Sequence, residues 1–186
     1  MLTADHLVVS VAAGVGAATI EAAAPCPVRV VRTMPNTPML LGEGAAAVCK
    51  GAHATDADIA RVREMFEASA TVIEVPEALI HAVTALSGSG PAYVFYLAEL
   101  MARAGVEMGL SHDDAVLLAN TTVLGAARML AETGDSAEEL RRKVTSPNGT
   151  THAAITSMQS DGVPEDIVNA IKAAHRRSEE LGRAKD

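Results

Sequence analysis

Tryptophan is absent from this chain, and phenylalanine and tyrosine occur only twice each. Too few rings are left to build the stacking platforms that hold single-stranded nucleic acid or sugars. Positive charge is also short: 15 Lys and Arg face 23 Asp and Glu, a formal net charge of −8, with no basic cluster to mark a nucleic-acid partner. A local set of backbone donors can still hold an anionic cofactor on an acidic protein. Cys26 and Cys49 lie far apart in apolar surroundings, which predicts two free thiols in a reducing compartment. No apolar run reaches membrane-spanning length and no leader pattern opens the sequence, so a cytoplasmic protein without a membrane partner is expected. The six histidines (His6, His53, His81, His112, His152, His175) show no ligand spacing with cysteine or carboxylate, and no metal is expected.

What is present is small and aliphatic: 49% of the residues are hydrophobic, dominated by Ala, Val, Leu and Met. Short apolar runs at 7–11, 28–32, 44–49 and 71–75 read as four strands, the first of them a buried parallel one. Between them an Ala-rich segment at 17–23 and a run opened by Thr55-Asp56-Ala57-Asp58 read as helices; the second presents Ile59, Val62, Met65 and Phe66 along one stripe. Met34-Pro35-Asn36-Thr37-Pro38 reads as a rigid loop, because prolines fix the backbone on both sides of Asn36. After Pro76 every signal is helical. Helices are expected at 78–86, 92–108, from the Ser111 cap to about 132, at 136–143, 153–158 and 164–181. The composition therefore divides at Pro76 into residues 1–76, with material for half an α/β sheet, and an all-helical part, 77–186.

Three motifs bear on chemistry. Gly14-Val15-Gly16 follows a strand, but Thr19 stands where a dinucleotide fingerprint needs its third glycine, and no acidic residue ends a second strand about twenty residues on. Ala12-Ala13-Gly14 nevertheless sits at a strand's carboxyl end, where cofactors lie. Ser87-Gly88-Ser89-Gly90 is no nucleophile elbow, since Ser87 occupies the place of the first glycine, and a kink with close helix approach is expected. The most informative stretch is Lys143-Val144-Thr145-Ser146-Pro147-Asn148-Gly149-Thr150-Thr151. Pro147 biases Ser146 away from helix, Asn148-Gly149 tolerates positive φ, and Thr150 and Thr151 stand where an N-cap belongs. A tight loop aimed into a helix start is a small anion site, suited to carboxylate or phosphate.

Together these stretches resemble pyrroline-5-carboxylate reductase over nearly the whole chain and in order. Val9-Ser10-Val11-Ala12-Ala13-Gly14-Val15 looks like that family's late Rossmann strand and turn, and Met34-Pro35-Asn36-Thr37-Pro38 like its cofactor loop. Ala85-Leu86-Ser87-Gly88-Ser89-Gly90-Pro91-Ala92-Tyr93 and 144–151 look like its two helical-domain signatures. The departure is at the start: the family's first β-α unit with its glycine-rich pyrophosphate loop has no counterpart, which reads as an N-terminal truncation that leaves a sheet edge uncovered.

The resemblance implies the C-terminal part of a Rossmann-like domain (1–76) followed by a helical dimerisation and substrate-binding domain (77–186). It implies reduction of 1-pyrroline-5-carboxylate to L-proline with NADPH or NADH, the last step of proline biosynthesis. The implied roles are Thr151 and Ser146 as catalytic residues, Glu77, Gly149, Thr150 and Thr151 against the substrate, and Ala12, Ala13, Pro35, Asn36 and Lys143 on the cofactor side. A homodimer or ring of dimers with sites completed by the partner chain is also implied. Two other readings are a non-catalytic dimerising remnant of the family and another imine or β-hydroxyacid dehydrogenase.

Overall fold

A computed structural model describes residues 2–183. Four strands, β1 (Leu7–Ser10), β2 (Arg29–Pro35), β3 (Gly44–Lys50) and β4 (Ala70–Glu74), form one sheet in that order. β1 and β2 are parallel, β2 and β3 antiparallel, β3 and β4 parallel. All four lie where the apolar runs predict them. The β2–β3 reversal is a 3-10 turn, Thr37–Leu41, closed by Gly42 at φ 80°. β1 forms one edge of the sheet, pairing only with β2 among the described residues.

Alternation along the strands sorts their side chains between two layers. Leu7, Val9, Val31, Ala46, Val48 and Val72 pack with Ile59 and Val62 of helix α2 (Asp56–Glu67). On the opposite face Val8 and Val30 meet Ala17 of helix α1 (Ala17–Ala23), and Ala47 and Cys49 meet Ile80. Burial pushes the Cys49 thiol up to about 11, with the Glu77 carboxylate adding to the shift.

The start of α2 is fixed by a capping box. The Thr55 backbone N–H and hydroxyl donate to Asp58 Oδ2 at 2.9 and 2.8 Å, and the Asp58 amide returns a bond to the Thr55 hydroxyl. These bonds, with Arg29 at 2.7 Å from Asp58 Oδ1, hold the Asp58 carboxyl below its usual 3.8. Asp58→Asn is therefore expected to destabilise the protein by about 1–2 kcal/mol at neutral pH. The folded value is depressed, so the contribution is full above the usual carboxylate range and is lost as pH falls below it. Urea titrations of both proteins should show the gap closing in acid.

The stretch predicted as one helix at 78–86 is three joined pieces. A 3-10 turn at Glu77–Leu79 leads into α3 (Ile80–Val83), and Thr84–Gly88 is a π-turn. The hydroxyls of Thr84 and Ser87 donate back to the carbonyls of Ile80 and Val83, and the Ser89 amide bonds Thr84 five residues back, widening the turn. The remaining helices are α4 (Gly90–Glu107), α5 (His112–Glu132), α6 (Ala137–Lys143), α7 (Thr150–Ser160) and α8 (Val163–Arg183). Ser111 caps α5, as expected of it, and Ser136 caps α6 through a capping box with Glu139.

Two compact units result. The first runs to Pro91 and takes back the chain from Asn169; the second is Ala92–Val168. Composition changes at Pro76, whereas compactness divides later, because α3 packs on the sheet and the end of α8 returns to it. In the second unit Ala115, Ala119 and Leu140 are buried, and Phe95, Tyr96, Leu117, Leu118, Leu124 and Leu130 are 51–66% exposed. So much uncovered apolar surface is more than a monomeric domain commonly exposes. Among the described residues no helix is long and apolar enough to cross a membrane, and no cluster of His, Cys, Asp and Glu could hold a metal ion.

Candidate functional site

In the first unit the candidate residues gather at the carboxyl ends of β1 and β2. β1 ends at Ser10, in register with Arg32, and the chain turns through Ala12, Ala13 and Gly14 before α1. Gly14 adopts φ 72°, and a Cβ there would lie 3.2 Å from the backbone of Leu181 at the end of α8, so both the turn and its backing require glycine. Ser10 Oγ accepts from the Ala12 amide at 3.3 Å. Ala12 and Ala13 are exposed, giving a ledge of methyl groups at a strand end. Pro35 closes β2 on the neighbouring strand.

Met34 and Pro35 belong to β2, so the loop predicted at 34–38 begins only at Asn36. Pro35 has no N–H, and Asn36 resumes the ladder by donating its amide to Ala45 O at 3.1 Å. The Asn36 side chain is also engaged within the protein: Oδ1 accepts from the Ala45 amide at 2.8 Å and Nδ2 donates to Ser87 O at 3.1 Å. It clamps the start of β3 to the π-turn, a use that the expectation of a cofactor contact did not include.

Glu77, expected against the substrate, is committed to unit-internal partners. Its Oε1 accepts from the Ala17 amide at 2.7 Å and pairs with Arg32 Nη1 at 3.3 Å. His81 lies close by, with Nδ1 2.9 Å from Ser178 Oγ of α8. Burial, then the charge of Arg32, lowers the His81 pKa and favours the neutral ring.

The second unit contains the loop between α6 and α7. Thr145 Oγ1 donates to Arg141 O at 2.6 Å and finishes α6; Asn148 then takes φ 60°, the left-handed turn expected of it. The cap of α7 is Gly149, not Thr150 or Thr151, which occupy its first two helical positions. Steric crowding explains the shift: a Cβ at 149 would collide with Ser146 Oγ and lie 3.1 Å from Ser146 O. The Gly149 amide is spent on that carbonyl at 3.0 Å. The donors left at the helix start are the amides of Thr150, Thr151 and His152, which have no acceptor among the described residues, with the hydroxyls of Thr150 and Thr151 beside them. The His152 amide is the one sequence reasoning missed; it follows once Gly149 is recognised as the cap. Lys143, expected on the cofactor side, is drawn back into a surface ion pair with Asp135 in the connection before α6.

A family profile described as pyrroline-5-carboxylate reductase dimerisation matches residues 77–181. The pyrroline-5-carboxylate reductase of Methanosarcina acetivorans is 44% identical over 182 residues, covering 98% of this chain and 67% of that protein. That of Corynebacterium melassecola is 44% identical over 181 residues, 97% of this chain and 67% of that one. Among solved structures, Plasmodium falciparum pyrroline carboxylate reductase with NADP bound superposes with a TM-score of 0.86 at 30% identity, covering 95% of this chain and 71% of that one. The Coxiella burnetii pyrroline-5-carboxylate reductase gives 0.87 at 40% identity, covering 94% and 65%. The chain thus spans about 67% of the length of those two curated relatives. With the family profile, the relatives and the folds in agreement, the chain belongs to the pyrroline-5-carboxylate reductase family.

Proposed function

We propose that this chain reduces 1-pyrroline-5-carboxylate to L-proline with NAD(P)H, the last step of proline biosynthesis, as a cytoplasmic homo-oligomer. The observation that carries the reading is the start of α7, where three unused amides and two threonine hydroxyls converge behind a glycine cap. Such a cradle suits the carboxylate of a small cyclic imino acid. The cofactor fits the other set of residues at one end. The methyl ledge of Ala12 and Ala13, with Pro35 on the neighbouring strand, gives a planar nicotinamide ring an apolar surface at a strand terminus.

When bound there, NAD(P)H supplies a hydride. The rest of the chemistry falls to positioning. The α7 amides fix the substrate carboxylate, which orients the ring for attack at its C=N carbon. Ser146 holds the loop through its carbonyl on the Gly149 amide. Thr151 directs its hydroxyl at the ring nitrogen. A threonine hydroxyl is too weak an acid to protonate an imine alone, so it orients the nitrogen and relays a proton from water as the amine forms. The exposed aliphatic side chains of α4 and α5 are the surface on which two copies join.

A second reading, a dimerising remnant that binds no nucleotide, is favoured by one feature: Thr19 replaces the third glycine after β1, so this turn supplies no pyrophosphate loop. Oxidation of NAD(P)H with 1-pyrroline-5-carboxylate, beside a fluorescence titration with the nucleotide, separates the two. Turnover with the cyclic imine and none with hydroxy acids supports the reductase. Absence of nucleotide binding identifies the remnant, and binding without imine turnover contradicts both.

A further inference from the structure

Arg32 is an expensive residue for its position. It lies in the middle of the sheet, on β2, with its side chain 4% exposed. A guanidinium removed from water loses solvation that its partners must return. Among the described residues its side-chain partner is Glu77, at a longish 3.3 Å. With the Glu77 side chain 35% exposed, the pair adds little to stability over an apolar residue of the same volume. Val30, on the same face of the same strand, shows that an aliphatic side chain is accommodated there. Stability is therefore a poor reason for an arginine at 32, and geometry is a better one.

The same carboxylate oxygen that meets Arg32 also accepts the first amide of α1, from Ala17 at 2.7 Å. That amide directly follows the turn at 12–16. The turn's other end is tied by Ser10 Oγ to the Ala12 amide, and Ser10 is the register partner of Arg32. Gly14, in the middle, rests against the backbone of Leu181. The turn is thus held at its start by a strand hydroxyl, at its back by α8, and at its exit by an ion pair. Beside the pair is a cavity of about 280 Å³ lined by Gly14, Gly16, Thr19, Arg32, Glu77 and His81, so the exit is packed on its core side by Ala17 and faces open space on the side of the ion pair.

We propose that Arg32 and Glu77 are positioning residues for the turn Ala12–Ala13–Gly14: Arg32 aims the Glu77 carboxylate at the Ala17 amide, and this fixes the ledge on which the cofactor ring rests. Glu77 then acts on the cofactor side through the backbone and does not touch the substrate. The kinetic part rests on the proposed reductase activity; the structural part does not.

The test uses the full chain with Arg32→Met, Arg32→Lys and Glu77→Gln. Amide hydrogen exchange over residues 11–17 should quicken about tenfold in Arg32→Met and in Glu77→Gln, with β3 and α2 unchanged and most of the protection restored in Arg32→Lys. In the same variants KM for NAD(P)H should rise about tenfold while KM for the imino acid stays within twofold, the split expected when one ligand's platform is loosened. Unchanged exchange at 11–17, or an increase spread evenly over the sheet, overturns the proposal. A rise in KM for the imino acid alone overturns it too, and returns Glu77 to the substrate. Should the wild type prove inactive, the proposed function fails, and hydrogen exchange still decides the role of Arg32.

Discussion

Thr151→Ala lowers kcat for 1-pyrroline-5-carboxylate by about tenfold to a hundredfold and leaves KM for NAD(P)H unchanged, the range expected for losing one positioned proton-relay group. Gly149→Ala is more damaging, with kcat/KM for the imino acid falling about a hundredfold or more, as an ångström-scale misplacement of a substrate cradle can do. The reason is steric. A methyl at 149 collides with Ser146 Oγ and presses on Ser146 O at 3.1 Å, so the loop opens or the first turn of α7 shifts. Either change moves the amides of Thr150, Thr151 and His152 away from their common focus. Removing the colliding hydroxyl should relieve part of the clash, so Gly149→Ala with Ser146→Ala is expected to recover some of the loss that Gly149→Ala causes alone. Steady-state kinetics on the four proteins measure this. A Gly149→Ala enzyme with wild-type kcat/KM would show that the cradle plays no part in binding.

Replacing Phe95 and Leu118 together by glutamate dissociates the oligomer. Both side chains are large and more than half exposed in the single chain, at 66% and 55%. Covering each against a second copy is worth about 2–3 kcal/mol, and together about 5 kcal/mol, or roughly a thousandfold to ten-thousandfold in the dissociation constant. Two carboxylates in the same seam add a desolvation penalty of the same sign. Sedimentation velocity should therefore find the wild type as a dimer or larger and the double variant as a monomer. The second unit buries so little within itself that this monomer is expected to melt at a lower temperature as well. A double variant that sediments with the wild type places the interface elsewhere.

The strands and helix starts were legible because their signals are local. Four apolar runs became four strands, and Thr55 and Ser111 capped the helices they precede. What stayed hidden depends on partners distant in sequence. Glu77 reads as an exposed charge at a junction until the fold brings the Ala17 amide, sixty residues away, to its carboxylate. Asn36 reads as a loop residue facing a ligand, but its amide joins Ala45 to Ser87. The antiparallel reversal between β2 and β3 was also concealed, since a proline pair marks a turn without saying which way the next strand runs. Lys143 is the opposite case. Its partner Asp135 is only eight residues back, yet the intervening helix had to be placed before the two could be seen to meet. At the loop between α6 and α7 the sequence placed the turn and misassigned the cap of the helix that follows. The preference of threonine for N-cap positions is real, but at 149 only glycine clears Ser146, and the helix begins one residue sooner.

Hydride transfer to a cyclic imine leaves an isotopic mark on the product. The chain is incubated with NAD(P)H carrying deuterium at both positions of nicotinamide C4 and with 1-pyrroline-5-carboxylate, and the product is read by mass spectrometry and NMR. L-Proline with one deuterium at the ring carbon that was doubly bonded to nitrogen is the expected result. Unlabelled proline, or no proline while the nucleotide remains reduced, would contradict it.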